Sequence, residues 1–379
     1  MKVLYVDPQS SGNMCIYDKS LIANLDNAFS VVYLCNQHFS GVFDRDNVTV
    51  KVSFCYNESH GIKKVLSYLK SLWFVYKETK RCKPNIIHVQ WIRIYALESR
   101  FYVWLAKRSE AKLVFTAHNI LPHDTGTRYF NSFKRLYMGV DAIVVHDKKT
   151  QKELSEQFNI NKDKLAVIPH GLLDYHIAED TIQKEIESLC DELGIKEDTI
   201  VFSSLGNQEY YKGVDVLLDV WLSNKELFEN SKCVLIIAGR NKDIDLTKAA
   251  AANNIYVDNR LVPDERMVAI MKRSDVVVLP YRKISQSGVL MLAIACGTPM
   301  LVTDIGGLAD PQSIGNVGWK IKECDYELLS NQILQLIQDP VAVNEKKISN
   351  NAEWKKVQSE YSWSSIGQQT SKLYYSLFK

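Results

Sequence analysis

The side chains in this sequence best suited to chemistry cluster in a few short stretches. Lys212-Gly213 stands directly before an apolar stretch, 214–220, that reads as a helix. An ammonium group is a compact positive charge, and a glycine beside it lets backbone approach a ligand closely, so the pair can hold an anion; a solvated lysine at a helix start is the plainer alternative. Ser287-Gly288-Val289 opens a second apolar helix that runs through 295. Helix starts carry unpaired N–H groups and the positive end of the dipole, so these amides are a second anion site, with Ser287 either capping the helix or donating to the ligand. His118 ends an apolar run and could hold a hydroxyl or take a proton; a satisfied structural histidine is the alternative. Close behind, Pro122-His123-Asp124 offers an acceptor contact or a base, but also reads as an ordinary turn. Glu209 is a further carboxylate beside Lys212. Asp243-Ile244-Asp245 has the look of a metal-binding pair, yet it lies between a strand and a helix-forming stretch, where capping is the simpler role. No bound metal is expected, because Lys212 and helix amides can stabilise negative charge.

These residues need elements to hold them. Short continuous apolar runs recur at 3–6, 86–91, 113–117, 142–145, 165–168, 199–203, 234–238, 276–279 and 299–302, with longer helix-like stretches between. The runs are rich in β-branched residues and do not alternate, the pattern of parallel strands covered on both faces. Strand and helix in alternation predict doubly wound α/β layers, and the polar residues and glycines that follow the runs fall where such sheets bind ligands. A seam near 170–198, with a charged stretch around 184–187, separates two strand series.

Composition narrows the function classes. At 379 residues the chain is long enough for two domains, and 46% hydrophobic residues with nine prolines are globular values. A formal charge of +2 argues against a nucleic-acid binder. The residues after Met1-Lys2 form too short an apolar core for a signal peptide, and no run approaches the ~18 residues of a membrane span. Eight cysteines stand singly, with no Cys-x-x-Cys pair, which suits reduced thiols in a cytoplasm and neither a disulfide framework nor a zinc site. The sequons at Asn47 and Asn57 are then chance matches.

The stretches SSLGNQEYYKGVDVLLD (203–219), LIIAGR (235–240), VPDERMVAIMKRSDVVVLPY (262–281), SGVLMLAIACGTPMLVTDIGGLAD (287–310) and YSWSSIGQQTSKLYYSLF (361–378) follow one another in an order and spacing that resembles the GT-B glycosyltransferases, family 4 in particular. PNIIHVQW (84–91) and FTAHNILPHD (115–124) are similar less tightly. The resemblance implies an α/β fold of two doubly wound Rossmann-like domains facing a cleft: an acceptor-binding domain over 1–170, joined by a helix at about 361–379 that crosses back, and a donor-binding domain over 171–360. It implies transfer of a sugar from a nucleoside diphosphate sugar, used as co-substrate with no cofactor, to a glycan or polyprenyl-linked acceptor. The outcome would be retaining and the setting bacterial surface polysaccharide synthesis. Catalysis would fall to His118, Lys212 and Asp124, and acceptor binding to His123 and Asp124. Donor contacts would come from Gly12, Asn207, Lys212, Gly213, Gly239, Arg240, Ser287, Gly288 and Val289, with Arg260, Val262 and Tyr256 where relatives cradle the nucleobase. Gly306-Gly307 with Asp310 resembles a turn bordering the donor.

The chain also departs from the family pattern. Two glutamates that many relatives place around 284–293 are replaced by Ile284 and Leu292, or in a shifted register by Ser285 and Ala293, and Asn207 stands where an arginine is common. An epimerase of the same fold and a non-catalytic partner protein are therefore the competing readings. The stretch 62–80 reads as a helix with Ile62, Leu66, Leu69, Trp73 and Tyr76 along one stripe and Lys63, Lys70 and Lys77 along another. It suits peripheral contact with an anionic membrane on the cytoplasmic face, or else is a cover helix with snorkelling lysines.

Overall fold

The computed structural model describes residues 1–56, 61–122, 127–284, 286–347 and 352–379. The chain divides into two compact units: unit 1 is Met1–Gly171 with Tyr361–Lys379, and unit 2 is Leu172–Glu360.

In unit 1 the strands are β1 (Lys2–Val6), β2 (Ser30–Asn36), β3 (Val48–Phe54), β4 (Ile86–Val89), β5 (Lys112–Thr116), β6 (Ala142–Val145) and β7 (Leu165–Val167). They pair in parallel in the order β3-β2-β1-β4-β5-β6-β7. Unit 2 has β8 (Ile200–Leu205), β9 (Cys233–Ala238), β10 (Ile255–Asp258), β11 (Val276–Leu279), β12 (Met300–Thr303) and β13 (Gly318–Ile321), again parallel, in the order β10-β9-β8-β11-β12-β13. The two sheets thus share one winding: the first strand of each lies inside, and the chain reverses its direction of travel between β1 and β4 and between β8 and β11. The fold class read from the apolar runs is the one observed.

Burial explains why the runs are uniform. Every residue of β4, β6, β9, β11 and β12 is buried, since helices cover both faces. Two apolar clusters lie on opposite faces of the unit 1 sheet, and in unit 2 a large cluster packs around Trp221, Phe228 and Leu301 on one face of its sheet. Helix ends follow local chemistry: Asp147, Ser287, Asp325 and Ser362 each accept a hydrogen bond from an amide in the first turn, worth about 1 kcal/mol apiece. The structure adds four strands that the nine runs do not include. β3, β10 and β13 are edge strands with part of their surface in water, so their sequences mix polar and apolar residues. β2, by contrast, is interior and apolar (SVVYLCN), and nothing physical hides it.

Candidate functional site

In unit 2 the loops that leave β8 and β11 stand at the point where the winding reverses, outside the carboxyl ends of the strands. The β8 loop makes one 3-10 turn at Tyr210–Lys212, then Gly213, then the helix Val214–Ser223. Gly213 has φ +68°, and a Cβ there would sit 2.1 Å from the Pro280 carbonyl oxygen, so a larger residue would push the loop off the end of β11. Lys212 folds inward and is only 6% exposed. Its Nζ lies 3.4 Å from the Leu205 carbonyl oxygen and 5.8 Å from the centre of the Tyr281 ring. A methyl group placed on Gly206 would lie 3.0 Å from that Nζ and 3.3 Å from Val289 Cγ2, so the ammonium and the start of the helix Gly288–Cys296 converge on one point. Burial lowers the Lys212 pKa to about 8; Glu209 works against this shift and Lys242 adds to it. A desolvated ammonium with one long hydrogen bond to a carbonyl gains from meeting an anion.

Ser287 caps the helix, its Oγ accepting from the Leu290 amide at 3.3 Å, and the same Oγ is 3.3 Å from the Tyr281 hydroxyl. Gly288 and Val289 are half-buried, and as first-turn residues their amides have no intrahelical acceptor. The lysine turn is held firmly. Arg282 makes a two-pronged pair with Asp215, both bonds 2.7 Å, while donating to the Tyr210 carbonyl at 2.6 Å. The Arg282 amide bonds Tyr211 O at 2.7 Å, and Asp243 accepts from the Tyr210 amide at 2.7 Å. Buried Gln208 ties Gly206 O to Ala238 O. Of these supports only Asp243 stands out in the sequence, and its carboxylate takes the Tyr210 amide rather than capping the stretch that follows it; Arg282 lies three residues beyond a strand end, which is the signal that could have found it.

The other expected donor contacts are dispersed. Gly239 ends β9 against Gly206, and the Arg240 carbonyl accepts from the Gln208 amide while its side chain is exposed. Asn207 is exposed. Arg260 is exposed and bonded to Asp258 at 2.8 Å, and the Tyr256 hydroxyl donates to Leu193 O at 2.7 Å. Val262 is buried. Tyr256 lies on β10 and Arg260 and Val262 just beyond it, with β9 between β10 and β8. Asp245 binds the amide and hydroxyl of Thr247 at the start of a short 3-10 helix, and among the described residues no group of acidic, histidine or cysteine side chains is placed to hold a metal ion. Leu292 and Ala293 are buried within their helix.

Unit 1 holds Gly12, with φ +56°, ahead of the helix Asn13–Asn24. Beneath that loop the carboxyls of Asp7 and Asp18 lie side by side, both fully buried. Burial raises both: Asp18 to about 6, restrained by hydrogen bonds from Asp7, Tyr33 and Tyr5, and Asp7 well above its ordinary value, with the Asp18 charge adding to the effect. Asp7 Oδ2 finds no donor among the described residues, so the pair is content only when one member keeps a proton.

His118 is buried at the end of β5, but not alone. Four neighbouring strands of unit 1 deliver one histidine each: His88 on β4, His118 after β5, His146 after β6 and His170 after β7. His118 Nδ1 is 3.2 Å from His146 Nε2, and His118 Nε2 is 3.0 Å from Gln90 Oε1. Its ring stacks on Trp91, centroids 5.1 Å apart and planes 7° apart, and meets the edge of Tyr17. Burial holds all four imidazoles neutral, His88 and His170 near 3, His146 near 4 and His118 well below its ordinary value. Beside His118 is a cavity of about 160 Å³ walled mainly by Trp91, Tyr95, Phe115 and Phe133. His123 and Asp124 lie outside the described residues. The histidine partners were missed in the sequence, although one histidine per strand–helix repeat is a visible period.

Residues 185–354 match the family model described as glycosyl transferases group 1, and residues 19–172 match glycosyltransferase family 4. Among curated relatives, a D-inositol 3-phosphate glycosyltransferase of Corynebacterium aurimucosum is 24% identical over 251 residues, covering 64% of this chain and 58% of that protein. An N-acetyl-alpha-D-glucosaminyl L-malate synthase of Bacillus anthracis is 23% identical over 265 residues, covering 67% and 66%. The chain spans under three fifths of the length of the corynebacterial relative. Among solved structures, HepE of Anabaena in complex with UDP superposes with a TM-score of 0.72 at 15% identity, covering 99% of this chain and 100% of that one. WaaG, a glycosyltransferase involved in lipopolysaccharide biosynthesis, gives 0.66 at 14% identity, covering 98% and 99%. At such identities the likeness is one of fold.

Proposed function

We propose, for a chain that belongs to the GT-B glycosyltransferases of the group 1 and family 4 type, that unit 2 binds a nucleoside diphosphate sugar and that the sugar passes to a glycan or lipid-linked acceptor bound by unit 1. The observation that carries this reading is the buried Lys212 ammonium beside the first turn of the helix Gly288–Cys296. When the bond from the sugar carbon to the phosphate oxygen breaks, the leaving diphosphate gains negative charge. A fixed ammonium and first-turn amides stabilise that charge without reorganising. His118 and the aromatic cavity beside it are then the acceptor side, with His123 and Asp124 as further candidates. HepE has been solved with UDP-glucose, so a UDP-sugar is the first donor to try. The family resemblance extends the reading to a retaining transfer in surface polysaccharide assembly. An exposed row on the helix Gly61–Cys82 (Ile62, Leu66, Leu69 and Trp73), flanked by lysines, suits an anionic membrane carrying a lipid-linked acceptor.

Lys212→Ala tests the central claim. Transfer should fall by at least about 100-fold while the melting temperature holds or rises. Full turnover in this variant would sink the reading. The apolar Leu292 and Ala293 where relatives carry a glutamate favour one second reading, a partner protein that binds a nucleotide sugar without turning it over. Donor-dependent thermal stabilisation with no product on any acceptor would select it.

A further inference from the structure

The direction of hydrogen bonding through the unit 1 histidines is set by one main-chain carbonyl. His146 Nδ1 lies 2.9 Å from Ile168 O. A carbonyl only accepts, so Nδ1 carries the hydrogen, and in a neutral ring Nε2 is then a bare acceptor. That Nε2 faces His118 Nδ1, which must therefore be N–H, leaving His118 Nε2 as the acceptor nitrogen of its ring. The next partner is the Gln90 carboxamide, whose Oε1 is 3.0 Å from His118 Nε2 and whose Nε2 is 3.1 Å from His88 Nε2. In that sense Gln90 matches a His118 protonated on Nε2. Turned over, with the same shape, it donates to a neutral His118 and accepts from His88, whose Nδ1 then accepts from the Tyr374 hydroxyl. Thr116 Oγ1, 2.8 Å from His88 Nε2, can act as donor or acceptor and so tolerates either state.

We propose that His146 and Gln90 are positioning residues for His118: His146 holds it as the Nδ1–H tautomer, and the Gln90 carboxamide turns over when His118 Nε2 gains or loses a proton. Each charge state then has a complete set of partners along this chain once His88 follows: beside a neutral His118 its single hydrogen sits on Nε2, and beside a protonated one that hydrogen moves to Nδ1, which then donates to the Tyr374 oxygen, so the hydrogen count of His88 is unchanged. Among the described residues, the titratable groups that bear on His118 are the imidazoles of His146, His170 and His88; Tyr17, which touches its ring, keeps its proton because burial raises its pKa. The lock is independent of any reaction, whereas its use in taking a proton from an acceptor hydroxyl rests on the transferase reading.

The test is long-range proton–nitrogen NMR on the full chain labelled with 15N in the histidine rings. Wild-type His118 should be the Nδ1–H tautomer near neutral pH. His146→Phe should shift it towards Nε2–H, and Gln90→Glu, which only accepts, should raise the pH at which His118 protonates by about one unit or more. Wild-type His118 found as Nε2–H, an unchanged tautomer in His146→Phe, or an unmoved titration in Gln90→Glu overturns the proposal. Circular dichroism checks folding, and if His146→Phe does not fold, the wild-type tautomer and the Gln90→Glu titration decide. Where transfer is detected, His146→Phe should lower kcat by about tenfold or more with donor affinity unchanged. Wild-type protein with the expected tautomer and no transfer would sink the transferase reading and leave the lock standing.

Discussion

Lys212 is held in a state that suits its proposed ligand better than it suits the empty protein. Burial lowers its pKa to about 8, from an unfolded value near ~10.4, so between those values the folded chain binds fewer protons than the unfolded one. Stability without ligand should therefore rise as pH climbs from about 8 to about 10. An anion reverses the preference: binding of UDP should be level between about pH 7, where its terminal phosphate is ionised, and about pH 8, and weaken above that, approaching tenfold per unit, as followed by calorimetry. A flat affinity across that range would mean that Lys212 does not touch the diphosphate. Asp7 and Asp18 show the opposite sign. Their pKa values are raised, so the stability linked to their protons is complete below about pH 4 and is lost as pH rises, through about 6 for Asp18, while Asp7 is raised well above its ordinary value. Asp7→Asn supplies a donor in place of the unpartnered Oδ2. It should raise the melting temperature at neutral pH and leave it unchanged near pH 4.

Elements place these groups and also set what they present outward. In the helix Gly61–Cys82, Tyr68, Leu72 and Val75 are buried against the sheet, so the larger stripe seen in the sequence faces solvent: Ile62 is 80% exposed, Leu66 60% and Trp73 55%. Lys77 lies over the Trp73 ring at 4.0 Å and Lys80 over Tyr76 at 4.8 Å, which keeps cations beside the apolar row. Sedimentation with vesicles containing anionic lipid should pull down the wild type, with Leu66→Asp/Trp73→Asp lost from the pellet and the melting temperature unmoved. Equal recovery of both proteins would return this helix to a simple cover. At the opposite extreme, the strand ends of unit 1 were legible one at a time but not as a set. His118 was visible as a histidine after an apolar run, whereas His88, His146 and His170 become its neighbours only because parallel strands align their carboxyl ends.

At the scale of the whole molecule, the last 19 residues decide where unit 1 ends. The helix Trp363–Ser376 packs on the helix Asn13–Asn24, burying Ile366 and Tyr374 completely, and the Tyr374 hydroxyl reaches His88. Gly367 allows this approach, since a Cβ there would lie 2.1 Å from Asn24 O. Gly367→Leu should therefore destabilise unit 1 by about 2–4 kcal/mol through overpacking and leave unit 2 alone. Calorimetry should resolve this as one shifted and one unshifted transition. If both shift equally, the two units melt as one and this independence is wrong.

The sequence by itself determined the class of fold and marked the lysine, glycines and serine proposed to meet an anion. Parallel strands covered on both sides must be apolar throughout, and a lysine-glycine pair and a serine-capped helix start are local features that need no distant partner. Tertiary structure alone decided that Lys212 and Val289 approach one point, that Arg282 and Asp215 clamp the turn between them, and that His118 has both ring nitrogens engaged. Such contacts join residues tens of positions apart, and their geometry depends on strand order, which no local spacing encodes.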